Sequence, residues 1–129
     1  MNNFSKSSQE KLATCHPLLE ELMELVLQEQ DITILCGHRN EADQNKAYAE
    51  GNSKVRWPKS EHNKLPSMAV DVAPYPIDWG NSERFRKLGE VVFRCWEKIP
   101  MSERAGYHLS WGGLWKNFTD LPHFQLERD

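Results

Sequence analysis

The sequence predicts an α+β fold, a small and mostly antiparallel sheet covered by helices, and three observations carry that reading. Two stretches repeat apolar residues at three- and four-residue steps, the period of a helix with one buried stripe. These are Leu12, Cys15, Leu19, Leu22 and Val26 near the start, and Phe85, Leu88, Val92, Cys95 and Ile99 later on. Between them, Ser67 to Ala73 alternates with period two: Met68, Val70 and Val72 point one way, and Ala69, Asp71 and Ala73 the other. The third observation is the element order, α, β, α, loop, β, α, β, β, which suits helices layered on a short sheet.

Each element has a local cause. Pro17 fits the first turn of a helix, with Glu20, Glu21 and Glu24 near the positive end of its dipole, so a break is expected near His16. Ile32 to Cys36 reads as a strand closed by Gly37. Asn40 is an N-cap for a helix running to about Glu50, with Glu41 and Asp43 in its first turn and Gly51 as its stop. Asn52 to Pro66 is polar, carries two prolines and has no period, so it is a long loop of the kind that is usually functional. Pro74 and Pro76 end the alternating strand. Ser82 is then expected to cap the second amphipathic helix. Tyr107 to Trp111 and His123 to Leu126 read as two late strands joined by a Gly-Trp-rich loop.

Composition excludes several function classes. With 129 residues, 39% of them hydrophobic, the chain can build the core of one domain. No apolar run exceeds three residues, so neither a transmembrane helix nor the apolar core of a signal peptide is expected. A net charge of −3 with no basic block argues against nucleic acid as a partner. Cys15, Cys36 and Cys95 form no CxxC pair and are read as reduced, mostly buried thiols.

Some polar residues sit where packing alone does not put them. Asp71 lies inside a strand of Met, Ala and Val, where an ionised carboxylate is expensive unless it is paired or bound to a metal. His62 ends the long loop nine residues earlier. His123 opens the last strand, on the face opposite Phe124 and Leu126. Two imidazoles and a carboxylate suit Zn²⁺, filling three tetrahedral positions and leaving a fourth for water. The spacing alone leaves open a strand Asp satisfied by backbone N–H groups beside two unrelated histidines. Asp120, three residues before His123, is placed to act as a general base beside such a metal without ligating it, or else simply to stabilise the turn before Pro122. His38 and His108 remain further candidates to line a site.

Ser60-Glu61-His62, Ser67 to Pro74 and Asp120-Leu121-Pro122-His123-Phe124 together resemble the zinc peptidases that include phage L-alanyl-D-glutamate endolysins and bacterial D-alanyl-D-alanine carboxypeptidases and dipeptidases. Gly37-His38-Arg39 followed by Gln44 is similar to that family's Gly-x-Arg element, and Trp111-Gly112-Gly113 to the loop before its last ligand. The resemblance implies a D-Ala-D-Ala metallopeptidase-like fold and one catalytic domain over residues 1–129. It implies Zn²⁺ held by His62, Asp71 and His123, Asp120 as the catalytic base, Arg39 as the residue that binds or polarises substrate, and Ser60 hydrogen-bonding in the site. The implied function is hydrolysis of the L-alanyl-D-glutamate bond of peptidoglycan stem peptides, lysing the bacterial host. The alternatives are a D-alanyl-D-alanine carboxypeptidase and a zinc-containing binding module without turnover. A monomer is expected, held in the host cytoplasm until a separate holin admits it to the periplasm. Two departures stand out: the His62–Asp71 interval is two residues longer than the commonest spacing and holds Pro66, and Leu114 replaces an acidic residue often found there. Asp120 in place of Glu favours the phage endopeptidase branch.

Overall fold

The computed structural model describes residues 2–129. Helices α1 (Lys6–Leu12) and α2 (Pro17–Glu29) are separated by the expected break, and His16 caps α2 by accepting the Leu18 N–H on its ring Nδ1, 3.0 Å away. Strand β1 (Ile32–Cys36) leads to α3 (Glu41–Ala49), capped by Asn40 as predicted. Strand β2 (Ala69–Pro74), helix α4 (Ser82–Lys98) and strands β3 (Tyr107–Trp111) and β4 (His123–Arg128) follow. The strands form one antiparallel sheet in the order β1-β2-β4-β3. The predicted α+β architecture is the one observed.

The alternation of β2 divides the molecule. Val70 and Val72 face a core filled by Leu19, Leu22, Met23 and Val26 of α2 and by Leu88, Val92, Cys95 and Ile99 of α4. Phe124 and Leu126 of β4 and Leu109 and Trp111 of β3 join them, with Phe124 fully buried and stacked on Trp111. The opposite face of the sheet carries Asp71 and His123, which are directly paired across β2 and β4. Burying one face as hydrocarbon fixes the register, because a one-residue slip would turn Asp71 into the core. The edge strand β1 is covered by α1, where Ser8 accepts the Ile34 N–H at 3.0 Å.

Three boundaries differ from the sequence reading. Asn81, not Ser82, caps α4: its side chain accepts the Arg84 N–H at 3.3 Å, because a turn closed by Asn81 N–H to the Asp78 carbonyl places Asn81 first. Strand β2 begins at Ala69 because the Ser67 backbone is spent on the α1–α2 break, bonding to Thr14 and His16. Strand β4 continues to Arg128, and a 3₁₀ turn at Glu61–Asn63 interrupts the long loop. Among the described residues, no helix is long and apolar enough to cross a membrane.

Candidate active site

The polar face of the sheet opens into a cleft of about 380 Å³, walled by the 52–61 segment on one side and by Trp115, Phe118 and Asp120 on the other. At its floor three ligand-type atoms converge. Asp71 Oδ1 lies 3.0 Å from His123 Nδ1 and 3.2 Å from His62 Nε2, and the two ring nitrogens are 3.3 Å apart. A tetrahedral ion with bonds of about 2.0–2.1 Å sets its ligand atoms about 3.3 Å apart, so this triangle has the size of one face of a zinc site.

The surrounding bonds orient both rings. His62 is buried, and its Nδ1 donates to the Gly37 carbonyl at 2.7 Å, which leaves Nε2 for the centre. Its main chain is seated by Ser60, whose hydroxyl accepts the His62 N–H in a capping box with Asn63. His123 is buried under Trp115, with ring centres 5.1 Å apart. Burial disfavours the Asp71 carboxylate, but the two imidazoles outweigh it and hold the group well below the usual carboxylate range. Burial likewise opposes a His62 cation, but the adjacent Asp71 charge pushes that imidazole up to about 10. Two imidazole nitrogens and a carboxylate oxygen brought this close have the charge and donor set for a divalent cation.

Asp120 stands beside the triangle, its Oδ2 3.9 Å from His123 Nδ1. Burial, and after it the Asp71 charge, raises its pKa above the ordinary aspartate value. Its position depends on Gly112, whose carbonyl accepts the Asp120 N–H at 2.9 Å. A side chain on Gly112 would overlap the Asp120 carbonyl, and one on Gly113 would overlap the Trp111 indole, which gives the Trp-Gly-Gly run a steric reason. Two overlapping groups of ligand-type atoms, each within 4.8 Å, meet here: Asp71, Asp120 and His123, and Cys36, His62 and Asp71.

Arg39 reaches the site from the β1–α3 connection. Its Nη2 is 3.7 Å from Asp71 Oδ2, and its Nη1 donates to Gln44 Oε1 at 3.0 Å. Gln44 is fully buried, and it also accepts from Asn63 and donates to Ser53 and the Val55 carbonyl. One amide thus ties α3, the long loop and Arg39 together.

All six residues singled out from the sequence, Arg39, Ser60, His62, Asp71, Asp120 and His123, line this cleft. His38 does not: its backbone donates to Thr14, outside the cleft wall. His108 is an exposed residue of strand β3, bonded to Glu127 and Asp129 away from the cleft. The sequence reading missed Gln125, bonded to His123 at 2.7 Å, and Lys54, whose ammonium lies 5.1 Å from the Phe118 ring centre and bridges the cleft walls. It also grouped Cys36 with the buried thiols, whereas a bulge in β1 sets it half-buried opposite Asp71.

Comparison with known proteins identifies relatives over nearly the whole chain. A family model described as phage L-alanyl-D-glutamate peptidase matches residues 1–127. The chain is 30% identical over 131 residues to the L-alanyl-D-glutamate peptidase of Escherichia phage T5, covering 97% of this chain and 89% of that protein. Among solved structures it is similar to the L-Ala D-Glu endopeptidase ChiX of Serratia marcescens, with a TM-score of 0.76 and 28% identity over 98% of this chain and 90% of the other.

Proposed function

The chain belongs to the phage L-alanyl-D-glutamate peptidase family, and we propose that residues 1–129 form a single zinc-dependent catalytic domain that hydrolyses the L-alanyl-D-glutamate bond of peptidoglycan stem peptides and so lyses the host. The observation that carries this reading is the convergence of His62 Nε2, Asp71 Oδ1 and His123 Nδ1 within 3.3 Å, in the cleft that also holds Asp120 and Arg39. Those three residues hold the metal. A bound Zn²⁺ supplies Lewis acidity, polarising a carbonyl and lowering the pKa of water from ~15.7 towards about 7.

The remaining chemistry belongs to the chain. Asp120 takes the proton of the attacking water at its carboxylate and returns it to the leaving amine. Arg39 presents a planar guanidinium, fixed by Gln44, to a stem-peptide carboxylate or to the developing oxyanion. Ser60 acts through its cap on the His62 turn and lines the same wall. Action as a monomer, with release to the periplasm through a separate holin, belongs to the same proposal.

Mass analysis of purified peptidoglycan digested with and without chelator tests the reading. Chelator-sensitive release at the L-Ala–D-Glu bond is expected. Loss of a single D-alanine instead would make the enzyme a carboxypeptidase, and no cleavage by zinc-loaded protein would leave a binding module.

A further inference from the structure

Strand β4 places His123, Gln125 and Glu127 in a row on the polar face of the sheet, because side chains two apart share a side. Their polar atoms are joined end to end. His123 Nε2 is 2.7 Å from Gln125 Oε1, and Gln125 Nε2 donates to Glu127 Oε2 at 2.8 Å. The other oxygen of Glu127 meets His108 Nε2 at 3.2 Å, across the β3–β4 pair. Gln125 has the room to lie along the strand because its cross-strand neighbours are small, Ala69 on β2 and Ser110 on β3.

Hydrogen-bond polarity propagates along this row in one direction. A carboxylate only accepts, so Glu127 requires the NH₂ end of the Gln125 amide. That turns the amide oxygen towards His123. An amide oxygen also only accepts, so His123 must carry a hydrogen on Nε2. Nδ1, 3.0 Å from Asp71 Oδ1 and 3.3 Å from His62 Nε2, is then the nitrogen left to a metal at that corner; with no metal bound, the acceptor-only Asp71 carboxylate holds a hydrogen on Nδ1 as well.

We propose that Gln125 is a positioning residue that fixes the Nε2–H tautomer of His123, and that Glu127 holds the Gln125 amide in the one orientation that does so. The inference rests on the proposed metal site, because the metal takes the place of the hydrogen on Nδ1, while the Nε2–H bond to Gln125 belongs to the chain. Ligating histidines commonly give their second N–H to an outer partner, and loss of that partner lowers metal affinity ~10–100-fold. Here the partner is a neutral amide whose direction is set two residues further along the strand.

Two readouts test this: zinc affinity by chelator competition, and, as the tautomer readout, the ¹⁵N–¹H signal of the His123 Nε2–H bonded to Gln125 in the metal-free chain. Gln125→Leu should weaken zinc ~10–100-fold and free the Nε2–H for exchange in a metal-free protein that still folds. The exchanged pair, Gln125→Glu with Glu127→Gln, keeps the acceptor on His123 and the donor behind it, and should restore affinity to within a few-fold of wild type. Wild-type affinity and tautomer in Gln125→Leu would overturn the proposal, as would failure of the exchanged pair to recover either readout. If the wild-type chain binds no zinc, the metal reading fails, while the tautomer measurement still decides the role of Gln125.

Discussion

Replacing Gly112 with alanine should displace the catalytic base while leaving every metal-ligand side chain in place; the Asp120 carbonyl it meets also accepts the His123 N–H at 3.1 Å. The added methyl would overlap the Asp120 carbonyl oxygen and stand 2.9 Å from the Asp120 Cβ. Carbon atoms in contact prefer about 3.5–4.0 Å, so the Asp120 segment must retreat by roughly 1 Å. A misplacement of that size in a reacting group lowers turnover on the order of 10²-fold. The same overlap is an overpacking strain of about 1–3 kcal/mol, each kcal/mol lowering the Tm by a few degrees. Turnover on purified peptidoglycan, measured well below the Tm with zinc content determined on the same sample, separates the two effects. The expected result is full zinc occupancy with a ~10²-fold lower kcat. Wild-type kcat in a folded Gly112→Ala protein would refute the claim that Gly112 seats Asp120.

Other perturbations have equally definite outcomes. His123→Ala should lose most of its zinc by elemental analysis, and full retention of zinc and activity would show that the ligand set is misassigned. Arg39→Lys cannot both donate to Gln44 and present a planar fork over Asp71. Its kcat/KM should fall at least ~10-fold, about 1.4 kcal/mol, with zinc content and Tm unchanged; equal activity would move Arg39 out of the mechanism. In the metal-free protein the His62 imidazole is raised from 6.5 to about 10, so its pairing with Asp71 stabilises the fold fully below the lower value and is lost as pH climbs towards the upper one. Chelated protein should therefore melt at lower temperature as pH rises through that interval while zinc-loaded protein does not follow it, and identical pH dependence of the two would contradict the account.

How far the sequence revealed this site depends on whether each signal was local. The helical stripes of α2 and α4 were legible because burial repeats with the helix period. Asp71 was legible because a charge amid Val70 and Val72 demands a partner. Its pairing with His123 was not, since the antiparallel register of β2 and β4 joins residues 52 apart. Gln44 was marked only by its resemblance to the family element after Arg39, and its role was not legible: α3 has no apolar stripe, and its one buried residue is an amide whose four partners come from three other segments. Gln125 shares the His123 face by strand alternation, but its role requires knowing that Ala69 and Ser110 flank it. Asn81 and Ser82 are both good caps, and only the preceding turn at Asp78 decides between them.

The central claim separates a three-residue metal site from a base that stands beside it, 3.9 Å from His123 Nδ1. The measurement that tests it most directly is zinc content and kcat determined together on Asp120→Asn. One zinc per chain with kcat lowered ~10²–10⁴-fold is the predicted result. Loss of zinc along with activity, or retention of full turnover, would contradict it.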